Sequence, residues 1–323
     1  MSRDLVIALS GGIGGAKLAL GLSRILPADN LVVVANVGDD FEHLGLHISP
    51  DADTLMYTLA GLDNTKLGWG RRDETWSFME TLAALGAEDW FRLGDRDLAV
   101  HVERTRRLKR GETLSAITAD FCRRLGVGPR VVPATDDPLR TRLRTDEGWL
   151  DFQDYFVRLQ CRPAIRELAF AGAEDARPHP DLLAALADDR LRAVVICPSN
   201  PFISVEPILA LAGMRQALSA CAAPVVAVSP IIGGRAVKGP TAKMMAEVGM
   251  VPSAAAAAKR YGGLIDGFVM DIEDAAEAAE VAARVTLAPT LMTSLEEREQ
   301  LARVVLKAAD ALCPTKRGRG VVA

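Results

Sequence analysis

Six short apolar runs punctuate the chain: "LVIAL" (5–9), "LVVVA" (31–35), "RVVPA" (130–134), "AVVIC" (193–197), "PVVAV" (224–228) and "GFVMD" (267–271). They are continuous rather than alternating, the pattern of strands covered on both faces of a parallel sheet. Between them, stretches such as "AKLALGLSRIL", "LSAITADFCRRLG" and "PILALAGMRQALSA" repeat apolar residues at helical spacing, and several end at glycine as helix C-termini do. Strand alternating with helix predicts an α/β fold, a Rossmann-like, doubly wound, mainly parallel sheet in a single domain. Two segments depart from the rhythm. Residues 63–130 are mostly helical and fall between the second and third strands, which predicts a cap over the carboxyl edge of the sheet. Residues 140–171 mix polar and apolar positions around an Asp146-Glu147-Gly148 turn, which predicts an appended hairpin.

Composition narrows the function classes. The 323 residues are 49% apolar with a formal charge of −4 and only 5% aromatics, so there is a core to bury but no basic field or ring supply for nucleic acid. No apolar run approaches the roughly 20 residues that span a bilayer, and "MSRDLVIALSGG" lacks the succession of a signal peptide, so a cytoplasmic protein is expected. Cys122, Cys161, Cys197, Cys221 and Cys313 show no C-x-x-C pairing and read as thiols of the interior. His43 and His47 have i, i+4 spacing, but "FEHLGLHISP" reads as loop and short strand rather than as a helical metal site. The basic run "ERTRRLKRG" (103–111) reads as a solvated helix face, with attraction of an anionic substrate as the other option, and the tail "KRGRGVVA" as frayed.

The first strand runs into "SGGIGGAKLALGL". A dinucleotide fingerprint G-x-G-x-x-G starting at Gly12 and Gly14 would need its third glycine where Lys17 stands. A Walker loop in register with Gly11 and Lys17 lacks its second glycine at Ala16 and its hydroxyl at Leu18. What remains is general: Gly11, Gly12, Gly14 and Gly15 expose backbone N–H groups at a helix N-terminus, with Lys17 in the first turn. Such a loop suits phosphate, or serves as a tight strand-to-helix turn.

The second strand ends in "NVGDD", with Asn36, Asp39 and Asp40, and "PDADT" follows with Asp51 and Asp53. Four carboxylates beside a phosphate loop repel one another unless a hard cation joins them, which points to magnesium; alternatively Asp53 or Thr54 caps a helix. "FRLGDRDLAVH" adds Arg92, Asp95, Arg96 and Asp97, which also fits a surface salt-bridge turn. In the second half, Ser199-Asn200-Pro201 and "IIGGRAVKGPT", with Gly233, Gly234, Lys238 and Gly239, each follow a strand and precede a helix. Loops of this kind on successive strand ends imply one shared crevice.

Taken in order, "SGGIGGAKLALGL", "NVGDD", "ISPDADTLMYTLAG", "GWGRRDETWSFM", "RLGDRDLAVH", "TDDP", "CPSNPFISVEPILALAGMR" and "VAVSPIIGGRAVKGPTAKMM" resemble the 2-phospho-L-lactate transferase family of coenzyme F420 biosynthesis. The resemblance spans nearly the whole chain. It implies a magnesium-dependent, generally dimeric enzyme that moves a phospho-acid from a guanosine-diphospho-linked three-carbon acid to the ribityl hydroxyl of the deazaflavin Fo, releasing GMP. It further implies that Asp53 and Arg92 contact Fo, Arg92 standing where lysine is also found in archaeal members. The glycine loop and Ser199-Asn200-Pro201 would hold the guanosine diphosphate portion. On that reading Asp39, Asp53 or both hold magnesium, the loop amides and Lys17 assist, and the alternative role for Asp53 is to orient or deprotonate the hydroxyl. The acid is left open among 2-phospholactate, phosphoenolpyruvate and 3-phosphoglycerate. A related group that binds uridine-diphospho-sugars without catalysis shares the glycine loop and the Ser-Asn-Pro turn, but here "ISPDADT" and "RLGDRD" favour the transferase. The broken fingerprint at Lys17 argues against a NAD-dependent dehydrogenase.

Overall fold

The computed structural model describes residues 3–237 and 239–312; Lys238, Cys313 and the tail "KRGRGVVA" lie outside the described residues. Seven parallel strands form the central sheet: β1 (Leu5–Ser10), β2 (Leu31–Ala35), β3 (Arg130–Pro133), β4 (Leu191–Ile196), β5 (Val225–Val228), β6 (Gly267–Met270) and β7 (Arg284–Leu287). Their spatial order is 3-2-1-4-5-6-7, the doubly wound order with one strand added. The order reverses between β1 and β4, where Leu9 pairs with Ile196. In such sheets a crevice opens beyond the carboxyl ends of the two strands at this switch point.

The continuous apolar runs are explained by burial on both faces. Along β1 and β2, Ile7, Leu9, Val32 and Val34 enter one core, while Val6, Ala8, Val33 and Ala35 enter the other. The second core is closed by α1 (Gly12–Ile25), α2 (Pro50–Leu59) and the helix Leu295–Leu312. At the crossing of α1 with that last helix, any side chain at Gly21 would strike the Arg298 carbonyl.

β7 carries no continuous apolar run. It is a half-buried edge strand, so its "RVTL" offers a weaker pattern than the other six strands, of which the opposite edge, β3, buries three of its four residues.

Within the segment 63–130, α3 (Ser77–Ala84) and α4 (Asp95–Leu108) stand around a small separate core of Ile48, Met79 and Leu93. The next helix, α5 (Leu114–Arg124), differs from the predicted cap. Its Ile117, Phe121 and Cys122 pack on the sheet beside Val33 and Val131, because it is the crossover that returns the chain to β3. Residues 140–171 form three antiparallel strands rather than one hairpin, with Arg140–Thr145 between Gly148–Asp151 and Ile165–Ala171. No helix among the described residues is long and apolar enough to cross a membrane. Cys122, Cys197 and Cys221 are buried thiols, Cys161 is only half-buried, and burial pushes Cys122 up to about 12.

Candidate active site

A cleft of about 760 Å³ opens at the switch point. Its floor is the β1–α1 loop, where Gly11 donates its amide to Ser199 Oγ at 3.1 Å and Gly12 donates to Asp51 Oδ1 at 2.5 Å. The first of these bonds joins the loops after β1 and β4 across the switch point. The glycines are required sterically: a side chain at Gly14 would strike the Pro198 carbonyl, and one at Gly15 the hydroxyls of Ser10 and Ser199. Gly12 sits at φ +63°, the left-handed region glycine favours. Ile13 and Gly14, at the mouth of α1, border the cleft, so the helix presents its positive end there. Lys17 also borders it, but lies in the second turn and donates Nζ to the Met292 carbonyl at 2.7 Å.

Beside the loop, the buried Asn36 amide donates to Asp39 Oδ1 at 3.2 Å and to Asp51 Oδ2 at 2.9 Å. Burial, reinforced by the charges of Asp51 and Asp40, holds the Asp39 carboxyl well above the usual carboxylate range. Burial pushes Asp51 up to about 6 against the bonds from Asn36 and Gly12. Next along the chain, Asp40 accepts from Ser49 Oγ at 2.9 Å, while its buried Oδ1 has no hydrogen-bond partner. Asp39 and Asp51, drawn to one amide, offer buried carboxylate oxygens of the kind a hard divalent cation takes, though with Asp40 they do not form a converging set of three.

Asp53 lies elsewhere in the cleft wall. It follows Asp51 by two positions on α2, about 200° around the helix axis, so the two carboxylates point to different sides. Arg104 of α4 grips Asp53 with both terminal nitrogens, Nη1 donating to Oδ2 at 3.0 Å and Nη2 to Oδ1. The predicted metal pair Asp39–Asp53 is not brought together: Asp39 shares the Asn36 amide with Asp51, and Asp53 is paired with Arg104. Asp53, Asp97 and His101 bring ligand atoms within 4.8 Å of one another, beside that guanidinium. Tyr57 donates to Asp97 Oδ1 at 2.6 Å, and His101 Nε2 sits 3.2 Å from Asp97 Oδ2. Burial would raise Asp97; the nearby His101 ring and the bond from Tyr57 outweigh it and hold the carboxyl low.

Arg92 lines the same side of the cleft with its guanidinium 4.4 Å from the centre of the Trp76 ring, and Trp69 and Trp90 add apolar wall. Phe152 and Phe156 also line the cleft, their rings stacked 5.3 Å apart.

The remaining predicted residues divide. Gly11, Gly12, Gly14, Lys17, Asp39, Asp53, Arg92, Ser199 and Asn200 line the cleft; Gly15, Asn36 and Pro201 lie behind it. Asn200 Oδ1 accepts from the Phe202 amide at 2.9 Å, so it also caps the turn that follows. Gly233 and Gly234 form the tip of a two-residue hairpin turn, at φ +57° and +70°, with the Gly234 amide on Asp274 Oδ1 at 3.2 Å; neither lines the cleft, although Ile232 and Val237 of the same hairpin do. Asp95 accepts from the Ser77 and Phe78 amides and organises the start of α3. His43 and His47 sit on paired strands Phe41–His43 and Leu46–Ile48, His43 against the Trp90 ring and His47 3.2 Å from Asp40.

Arg104, His101 and Tyr57 were hidden in the sequence. Arg104 belongs to the basic run 103–111, whose Arg106 and Arg107 do pair near the surface with Glu103, Glu112 and Asp120. The available signal is spacing: Asp97, His101 and Arg104 fall at i, i+4, i+7 on one face of α4, and Asp53 and Tyr57 at i, i+4 on α2.

Fold and site together define an α/β ligand-binding protein of Rossmann-like topology with a carboxylate-rich cleft at its switch point. Residues 6–308 match the family model 2-phospho-L-lactate transferase CofD. The chain belongs to this transferase family. It is 40% identical over 314 residues to the phosphoenolpyruvate transferase of Streptomyces griseus, covering 94% of this chain and 98% of that one. It is 42% identical over 317 residues to the phosphoenolpyruvate transferase of Kitasatospora aureofaciens, with the same coverage, and 39% identical over 323 residues to that of Mycobacterium tuberculosis, covering 92% and 96%. Among solved structures, a UPF0052 family protein from Bacillus halodurans shares the fold with a TM-score of 0.62 at 15% identity, over 95% of this chain and 99% of that one.

Proposed function

We propose that the protein transfers a phospho-acid from a guanosine-diphospho-linked three-carbon acid to the ribityl hydroxyl of Fo, releasing GMP, in coenzyme F420 biosynthesis. Of the three acids we favour phosphoenolpyruvate, the group in the names of relatives at 39–42% identity. As the family resemblance implies, the enzyme acts as a cytoplasmic homodimer. The observation that carries the reading is the division of one cleft into an anion-binding floor with buried carboxylates and a wall bearing Asp53 and Arg92.

The donor diphosphate sits at the mouth of α1, where Ile13 and Gly14 present the positive end of the helix and Lys17 lies alongside. Asp39 and Asp51 would hold the magnesium ion, with Asn36 behind them. When bound, that ion neutralises charge on the phosphoryl oxygens and on the departing GMP. The Asp53 carboxylate accepts a hydrogen bond from the ribityl hydroxyl and aims it at the phosphorus that bears the acid. A new P–O bond forms from that oxygen, the bond from the same phosphorus to the bridging oxygen breaks, and the hydroxyl proton leaves on the Asp53 side. A loose transition state asks little of a base, so orientation is the main task of a carboxylate already paired with a guanidinium.

The test is to incubate purified protein with Fo, magnesium and each of the three donors and to weigh the products by mass spectrometry. A phosphodiester of Fo with release of GMP is expected, fastest with the enolpyruvyl donor. No product with any donor overturns the reading.

A further inference from the structure

The Asp53 wall of the cleft is backed by a buried ionic network larger than its contact with a substrate requires. Asp53, Tyr57, Asp97 and His101 all line the cleft, whereas Arg104 stands behind them at 2% exposure and does not. Arg104 has donors only, so its Nη1, 3.2 Å from His101 Nδ1, leaves that ring nitrogen as the acceptor. The ring proton then sits on Nε2, which lies 3.2 Å from Asp97 Oδ2 but without hydrogen-bond geometry. Tyr57 donates to the other oxygen of Asp97. Both oxygens of Asp53 thus take the fork of Arg104 while the carboxylate still borders the cleft, and the His101 ring stands between the two carboxylates.

We propose that Arg104 is a positioning residue for the acceptor, fixing the plane and direction of the Asp53 carboxylate through a two-pronged grip that His101, Asp97 and Tyr57 lock in place. The proposal rests on the reading that Asp53 faces the acceptor hydroxyl. A purely structural role explains the arrangement less well. Burying two opposite charges is a poor way to dock one helix on another compared with apolar residues of the same size, and the buried Nε of Arg104 has no hydrogen-bond partner. The hairpin over α4 has its own anchor in the His47 amide, which donates to Thr105 Oγ1 at 2.8 Å. What apolar packing cannot supply is a fixed carboxylate, and lysine, a point charge on a flexible stem, cannot supply the fork.

The experiment compares wild type, Arg104→Lys, Asp53→Asn and the double variant Asp53→Asn/Arg104→Met for calorimetric binding of Fo and of GDP, for turnover and for melting temperature. Arg104→Lys should keep its fold and its GDP affinity while losing Fo affinity about tenfold, the order expected when one charge-assisted bond of a bidentate pair is lost. Turnover should fall with it. The double variant, which leaves no unpaired charge, should bind Fo no worse than Asp53→Asn alone. A loss of Fo affinity below threefold in Arg104→Lys overturns the proposal, as does an equal loss of Fo and GDP with a lowered melting temperature. Wild-type protein that binds no Fo overturns the functional reading itself, and this inference with it.

Discussion

The backbone amide of Gly12 donates to Asp51 Oδ1 at 2.5 Å, tying the mouth of α1 to the first turn of α2. That bond and the one from Asn36 do not offset burial, and Asp51 is pushed up to about 6. In the unfolded chain it would titrate near 3.9. Between those two values the folded state holds the extra proton, so stability falls as pH rises through the window and the full penalty, on the order of 3 kcal/mol, is present above it. A cation at Asp39–Asp51 removes that penalty by displacing the proton. Without magnesium, the melting temperature should therefore drop between pH 5 and 7.5. Added magnesium should raise it at pH 7.5 and barely at pH 5. Asp51→Asn should flatten both responses, and differential scanning fluorimetry across pH reads all three.

The separation of Asp39 from Asp53 gives a kinetic prediction. Losing a carboxylate that holds the metal forfeits several kcal/mol of charge stabilisation, a rate loss of about 100-fold or more, so Asp39→Asn should both slow transfer and raise the magnesium concentration for half-maximal rate. Asp53→Asn should slow transfer while leaving that magnesium concentration unchanged. Titrating magnesium against rate for both variants decides the assignment: an equal shift in the two would restore Asp53 as a metal ligand.

Arg92 lies over the Trp76 ring at 4.4 Å, and Trp76 itself meets Trp69 edge-on with ring centres 6.3 Å apart. The guanidinium is thus held by a ring rather than by a carboxylate, and its donors stay available to the cleft. A cation–π contact of this kind is worth about 0.5–1 kcal/mol at an exposed site. Trp76→Leu should accordingly weaken Fo binding only a few-fold. Arg92→Ala, which removes the donors too, should weaken it further, and Arg92→Lys should fall between. GDP affinity should be unchanged in all three, as equilibrium binding will read; a loss of GDP affinity would place Arg92 on the donor instead.

What was legible in the sequence follows from how each residue is used. Six of the seven strands could be read because their apolar residues are buried, even on the edge strand β3, and β7 could not because none of its four residues is fully buried. The cleft could be read from Gly11, Gly12, Asp39 and Ser199 because short loops at strand ends concentrate small and polar residues there. The partners of the carboxylates could not. Choosing between Asp51 and Asp53 depends on a 200° rotation about α2, and Arg104 differs from Arg106 and Arg107 only in which face of α4 it occupies. Both distinctions need a helix phase fixed by tertiary packing. Gly233 and Gly234 show the converse ambiguity, since glycine's freedom of φ is needed by a hairpin tip as much as by a ligand loop.

The two sets of glycines should separate cleanly on mutation. A Cβ at Gly14 would collide with the Pro198 carbonyl, a backbone atom that cannot rotate away. Gly14→Ala must therefore part the mouth of α1 from the loop after β4, at a cost of about 1–3 kcal/mol as for other overpacked sites. The same movement disturbs the surface on which the diphosphate would rest, so lower melting temperature and weaker GDP binding should appear together. Gly234 has open space around its Cβ position, with only the Pro252 carbonyl at 3.8 Å, but sits at φ +70°. Gly234→Ala should cost about 1–2 kcal/mol through backbone strain alone. Because Gly234 itself does not line the cleft, although Ile232 and Val237 of the same hairpin do, GDP and Fo affinities should stay at wild-type values when measured below the lowered melting temperature. Weakened ligand binding in Gly234→Ala would return the hairpin tip to the active site, and unchanged GDP binding in Gly14→Ala would remove the glycine loop from it.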